Sequence, residues 1–103
     1  MPDCYYRILV PTIHRATGKP ISTRFHRVWD EKVRAIAGGL TIHQPVKGQW
    51  VFENTLTSER MIPVEIACSV NRIEEILRMT RRYYDQIEIF CVKMSEEVIR
   101  YRG

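Results

Sequence analysis

Residues 61–70, MIPVEIACSV, give the clearest indication of the fold. The side chains of this segment alternate between an apolar set and a mixed set, and a period of two residues is typical of a strand with one face in a core. The apolar set is Ile62, Val64, Ile66, Cys68 and Val70. We therefore predict a strand over residues 61–70, preceded by a turn over residues 54–58.

Three other segments have the composition of strands. Residues 5–12 are rich in β-branched and aromatic side chains, which strands favour. Residues 40–52 form an extended region that Pro45 and Gly48 interrupt, so we expect a bent or bulged strand at a sheet edge. The last strand, residues 87–94, is apolar on both faces. Its two faces hold Ile87, Ile89 and Cys91, and Phe90, Val92 and Met94.

Two segments have the period of a helix. The first begins at Ser22 or Thr23, either of which can cap it, and ends at the glycine pair 38–39. The second has Asn71 as its predicted cap, with Glu74 in the capping-box position. The predicted core-facing residues are Phe25, Trp29, Val33, Ile36 and Ala37 in the first helix, and Ile73, Ile76, Leu77, Thr80 and Tyr84 in the second.

The order strand, helix, strand, strand, helix, strand predicts an α+β fold, the ferredoxin-like βαββαβ sandwich. In this fold a four-stranded antiparallel sheet carries both helices on one face, and right-handed crossovers place the first and third strands in its centre. A chain of 103 residues has the size of one such domain, so we assign residues 1–103 to it. Because the last strand is apolar on both faces and the helices cover only one, we predict a homo-oligomer formed through the open sheet face or the edge strands.

Composition narrows the class of protein without naming its activity. No apolar run is long enough to cross a bilayer, and residues 1–4 do not resemble the start of a secretion signal, so we expect a soluble cytoplasmic protein. The net charge of +4 does not by itself select a partner. Three scattered histidines predict no metal site, and no cofactor is predicted. The cysteines, which we expect to be reduced thiols, are Cys4, Cys68 and Cys91.

The predicted topology brings polar residues from distant segments to one rim of the sheet. There Glu59 is the candidate catalytic base and Trp50 offers a flat wall for a planar ring or a cation. The candidate ligand-binding residues are His14, Arg15, Trp50, Arg60 and Gln86, with Glu53 and Asp85 nearby. The alternative is an ordinary polar rim, with Trp50 as a hairpin anchor and Glu59 paired to Arg60 in solvent.

The first hypothesis is a small-molecule binding protein or enzyme with its site on the rim or between subunits. A different class of function would use the basic residues. Together with Tyr83, the basic residues could instead contact phosphates and stack a base, so a nucleic-acid or protein interaction module is the second hypothesis. Acidic residues interrupt this surface, and a solvated face is the simpler interpretation. The basic residues are Arg15, Lys19, Arg24 and Arg27 around the first loop, and Arg72, Arg78, Arg81 and Arg82 on the second helix.

The whole chain resembles a family of small uncharacterised bacterial proteins. The matching pieces are ILVPT at residues 8–12, AGGLTIHQPVKGQW at 37–50, MIPVEI at 61–66 and DQIEIF at 85–90. This resemblance implies the same fold and no known activity.

A weaker resemblance is to the bacteriophage S-adenosylmethionine lyases. The shared features are an aromatic residue two positions after Gly48, the TSER-like residues 57–60 with their glutamate, and Gln86 at the opening of the last strand. Trp50 stands where that family has a tyrosine. The resemblance implies ferredoxin-like subunits that assemble as trimers and bind the substrate between subunits.

Overall fold

The computed structural model describes residues 2–103, which form a five-stranded antiparallel sheet and two helices. The elements in chain order are β1 Cys4–Pro11, α1 Thr23–Ala37, β2 Thr41–Ile42, β3 Val46–Phe52, β4 Thr55–Cys68, α2 Val70–Tyr83 and β5 Cys91–Ser95. The sheet order is β2-β4-β1-β5, and β3 also pairs with β4. The α+β prediction is confirmed, and so are the central positions of β1 and β4, which are the predicted first and third strands.

The extended region over residues 40–52 is two strands rather than one. Thr41 of β2 pairs with Glu65, and Val46 of β3 pairs with Met61, so both strands lie along β4. Pro45 lies between them, where a residue without an N–H cannot donate to the sheet. The predicted interruption is confirmed at Pro45, whereas Gly48 lies inside β3.

The turn that joins β3 to β4 is tighter than predicted. Glu53 and Asn54 both have positive φ, 49° and 63°, which is the conformation of a two-residue hairpin turn. The prediction of a turn over residues 54–58 is therefore wrong, since residues 55–58 pair with β3. As a result β4 is 14 residues long, and its hairpin with β3 extends beyond the rest of the sheet.

Helix α1 begins and ends as predicted, whereas α2 begins earlier. Ser22 caps α1, and Gly38 at its end has a φ of 88°. In α2 the cap is Ser69, whose Oγ accepts a hydrogen bond of 3.4 Å from the N–H of Arg72. The capping box of Asn71 and Glu74 is therefore wrong, because the Ser69 hydroxyl meets the free N–H groups first. Val70, predicted in a strand, is the first residue of the helix.

The last strand is shorter than predicted. Residues 87–90 lie outside β5, although the carbonyl of Phe90 accepts a hydrogen bond of 3.2 Å from the N–H of Leu9. The chain uses the residues after α2 to travel back to the sheet edge, and Asp85 has a positive φ of 51° at the start of that path. Within β5 the pairing with β1 shifts register between Tyr5 and Tyr6.

The hydrophobic core lies between the sheet and the two helices. Ile8 and Val64 are paired across the central strands and are fully buried against Val33 and Ile76. Trp29 donates a hydrogen bond of 2.9 Å to Thr80, so the buried indole N–H is satisfied. Both helices of the described chain pack on this core, so the opposite face of the sheet carries neither of them. No helix of residues 2–103 is long and apolar enough to span a membrane.

Candidate functional site

The β3–β4 hairpin places Trp50 beside Glu59 on the face of the sheet that carries no helix. Gly48 pairs with Glu59, and Trp50 pairs with Thr57, so the indole and the carboxylate are diagonal neighbours. The ring leans over Gly48, where a Cβ atom would lie 3.6 Å from Trp50 Cζ3 and 3.9 Å from Met61 Sδ. The glycine therefore leaves room for the indole to lie flat along the strand.

Glu59 is a half-buried carboxylate. Burial raises its pKa, because removing a carboxylate from water disfavours the charged form. No salt bridge or hydrogen bond to the Glu59 side chain occurs within residues 2–103. Trp50 is 42% exposed, so the indole remains accessible. The pair thus offers a flat apolar surface next to an acceptor that a ligand could engage.

Four of the other predicted rim residues form a separate group near the end of α2. Arg15 donates a hydrogen bond of 2.9 Å to the carbonyl of Asp85 and pairs with its carboxylate at 3.3 Å. The His14 ring packs edge-on against Phe25 at 5.3 Å. Gln86 donates a hydrogen bond of 3.1 Å to the carbonyl of Tyr84.

The predicted rim therefore consists of two groups. The main chain of Arg60 connects to the first loop, since its carbonyl accepts a hydrogen bond of 2.7 Å from Thr12. Across the described chain, no hydrogen bond or salt bridge joins Arg15 or Gln86 to Trp50 or Glu59. The placement of His14, Arg15, Arg60 and Gln86 in one ligand site remains a prediction.

A cluster of polar side chains surrounds Glu65, which was not among the predicted site residues. Its carboxylate accepts hydrogen bonds from Tyr5 at 3.1 Å, from Arg7 at 2.6 and 2.9 Å, and from His43 at 2.9 Å. The residue is only 9% exposed. Hydrogen bonds from His43 and Arg7 outweigh the effect of burial and lower the pKa of Glu65 to about 2.

A cavity of about 360 Å³ opens beside this cluster. Glu65 and Tyr5 form one wall, the end of α1 and the start of β2 form another, and Arg100 of the C-terminal segment lines it as well. Arg100 also pairs with Asp3 at 2.8 Å. Glu65 uses its acceptors on its own neighbours, so it orients the surrounding side chains and is not a free base.

One feature of the sequence could have indicated this cluster, namely the charged Glu65 in the middle of the predicted strand 61–70. Alternation along β4 puts Glu59, Met61 and Glu65 on the same face, opposite the core. His43 could not be added to it from the sequence, because its partner depends on the register between β2 and β4. The two glutamates are six positions apart, which corresponds to about 20 Å along a strand.

The basic residues of α2 lie close to α1, and one of them bonds to that helix. Arg72 donates a hydrogen bond of 3.1 Å to the carbonyl of Ile36. Lys32 lies 5.9 Å from the centre of the Tyr83 ring. A surface cavity of about 420 Å³ is lined by Lys32, Glu75, Arg78, Met79, Arg82 and Tyr83. The acidic side chain of Glu75 interrupts an otherwise basic surface.

The fold and the open sheet face place the chain in the class of small α+β domains with ferredoxin-like topology. No protein-family model matches the sequence, and no curated protein matches it. Comparison of structures does find similar proteins.

Solved structures of the divalent cation tolerance protein CutA1 are similar to this chain. The protein from Thermus thermophilus has a TM-score of 0.67 at 10% identity, covering 93% of this chain and 87% of that one. The protein from Oryza sativa has a TM-score of 0.73 at 7% identity, with coverages of 97% and 84%. At such low identity the likeness shows the fold alone.

A phage S-adenosylmethionine lyase in complex with S-methyl-5′-thioadenosine is also similar. Its TM-score is 0.63 at 11% identity, and the match covers 92% of this chain and 82% of that one. This likeness too shows the fold alone.

Within residues 2–103, no group of three or more His, Cys, Asp or Glu side chains is placed to hold a metal ion.

Proposed function

We propose that the protein self-associates through its open sheet face and binds a small molecule, with a planar ring, against Trp50 and Glu59. One observation carries the proposal: the accessible Trp50 indole lies next to the half-buried Glu59 carboxylate. No residue of the described chain makes a hydrogen bond or salt bridge to that carboxylate. A stacking surface and an acceptor are the two elements that fix the orientation of a planar ligand.

A second copy of the chain is the proposed cover for the open face. Phe90 is 55% exposed, Val92 37% and Met94 46%, and they lie at the β5 edge of the sheet. On the extended hairpin, Phe52 and Leu56 are 68% and 63% exposed. Because the hairpin projects beyond the sheet, it can reach a neighbouring subunit. Assembly would bury both apolar regions and enclose the Trp50 and Glu59 pair at the subunit boundary.

A nucleoside with a positive charge fits this pair. An adenine ring can stack on the indole, and a sulfonium or ammonium group can approach the Glu59 carboxylate and the ring face. S-adenosylmethionine combines the two groups, and the phage lyase neighbour holds S-methyl-5′-thioadenosine. The lyases that this chain resembles have a tyrosine where Trp50 stands, and an indole has no hydroxyl. We therefore propose binding rather than lyase chemistry, and Glu59 is the candidate base for any reaction at this site.

The test is a pair of matched hairpin variants. Calorimetric titration with S-adenosylmethionine and with S-methyl-5′-thioadenosine should show binding to the unaltered chain. Trp50→Ala should weaken binding by roughly tenfold or more, since stacking of a base contributes about 1–3 kcal/mol. Val51→Ala is the control, because Val51 is on the other face of the same strand and is 68% exposed. Equal affinity in both variants would contradict the proposed site.

The second candidate function rests on the basic cavity that contains Arg78, Arg82 and Tyr83. A single-stranded nucleic acid could place phosphates against the arginines and a base against the tyrosine. The same titrations, carried out with single-stranded DNA and RNA, separate the two candidates. Nucleic-acid binding that weakens steeply with salt, without nucleoside binding, would favour this second function.

A further inference from the structure

Two of the three cysteines lie directly opposite each other in the central strands. Cys4 of β1 pairs with Cys68 of β4, and both side chains belong to the core face. Cα atoms of opposite residues in antiparallel strands are about 4.5–5.5 Å apart. Disulfides join Cα atoms about 4.4–6.8 Å apart. The backbone spacing at this pair is therefore that of a disulfide, although both thiols are free in this structure.

The surroundings of Tyr6 locate both thiols on the core side. Tyr6 follows Cys4 by two residues and shares its face of β1. Burial, and after it the Cys4 thiol and then the Cys68 and Cys91 thiols, raise the pKa of Tyr6 to about 12. The only hydrogen bond of the Cys4 thiol within residues 2–103 is a long one of 4.0 Å to the carbonyl of Glu96. If the Cys4 side chain rotates towards Cys68, it therefore gives up only this one weak hydrogen bond.

We infer that Cys4 and Cys68 form a modification site, at which a small disulfide of the glutathione type converts the two thiols into one cross-strand disulfide. Cys91 is not part of the site. It pairs with Ile8, four residues along β1 from Cys4, which is roughly 13 Å in a strand.

The reaction begins at Cys4, because this residue is half-buried at the start of β1 whereas Cys68 is 2% exposed. The Cys4 thiolate attacks one sulfur of the small disulfide, whose S–S bond breaks and releases one small thiol. The Cys68 sulfur then attacks the Cys4 sulfur of the mixed disulfide and releases the second small thiol. Both protein protons end on the released thiols, and two electrons pass from the protein to the oxidant.

Burial raises the pKa of Cys68 to about 11, so the second step is the slow one. The product would tie the N-terminal end of β1 to the end of β4. Residues 4 and 68 are far apart in sequence, and a crosslink that closes a long loop restricts the unfolded chain most. The oxidised protein should therefore melt several degrees higher than the reduced protein.

The experiment exposes the folded chain to oxidised glutathione and follows intact mass and tryptic peptides. We expect the loss of two hydrogen atoms, a peptide pair joined through Cys4 and Cys68, and an upward shift in Tm that a reductant reverses. Cys4→Ser should abolish all three effects. Cys91→Ser is the matched control and should change none of them.

Three outcomes would overturn the inference. They are a stable glutathione adduct on Cys4 that does not close, a disulfide that contains Cys91, and a chain whose mass does not change under folded conditions. Because Cys4 is half-buried at a strand end, Cys4→Ser should fold, and circular dichroism of that variant checks this independently of the redox result.

Discussion

At the scale of single residues, Glu65 orients several side chains on the open sheet face, the face without helices. It holds Tyr5 and Arg7 of β1 and His43, next to β2, in one network, so a single carboxylate connects neighbouring strands. A fully hydrogen-bonded buried network fixes the side chains around it. The sequence shows that Glu65 is a charged residue within a strand. Its three partners depend on the register between strands, which periodicity alone does not predict.

The pH dependence of stability tests this network. The pKa of Glu65 is lowered from 4.5 to about 2 in the folded chain, so its contribution is present above about pH 4.5 and is lost as the pH falls towards 2. Because Arg7 and His43 are 40% and 42% exposed, solvent screens their pairs with Glu65, and the contribution should stay below about 3 kcal/mol. Glu65→Gln should lower stability at pH 6 and flatten the acid part of the curve.

Urea unfolding at a series of pH values measures this effect. Glu74→Gln on the exposed face of α2 is the control and should leave the curve unchanged. An acid profile of Glu65→Gln with the same slope as the unaltered chain would show that other carboxylates determine the pH dependence.

At the scale of elements, the main difference between the predicted and the observed structure is the residue at which each element starts. The apolar alternation of β4 and the helix periods of α1 and α2 were sufficient to locate the core. Ser69 and Asn71 are both good caps, however, and only the direction of the chain leaving β4 selects between them. Likewise residues 55–58 became strand because a positive φ at both Glu53 and Asn54 allows the chain to reverse in two residues.

The two cap candidates can be distinguished by mutation. Ser69→Ala should reduce the free energy of unfolding by about 1 kcal/mol, because the N–H of Arg72 loses its acceptor. Asn71→Ala removes a side chain from the exposed first turn and should change stability by less than about 0.5 kcal/mol. Urea denaturation of the two variants measures both values, and the reverse order would restore Asn71 as the cap.

At the scale of the whole molecule, the exposed apolar residues at the β5 edge predict assembly. Light scattering at micromolar concentration should give a mass above the 12.2 kDa of one chain. Val92→Lys should dissociate the assembly with no loss of helical signal, since Val92 pairs with Arg7 on the open face. Ile87→Lys is the control, because Ile87 is 77% exposed and lies outside β5. A monomeric mass for the unaltered chain would exclude self-association.

The positions of the two tryptophans make the chain its own optical reporter. Trp29 is 1% exposed within the core, whereas Trp50 is 42% exposed on the hairpin. A buried indole emits at shorter wavelength than a hydrated one, so the fluorescence spectrum should contain two components. In Trp29→Phe the remaining emission would come from Trp50 alone. Its emission maximum would then report changes in the surroundings of the hairpin. In the unaltered chain, the short-wavelength emission of Trp29 reports unfolding of the core.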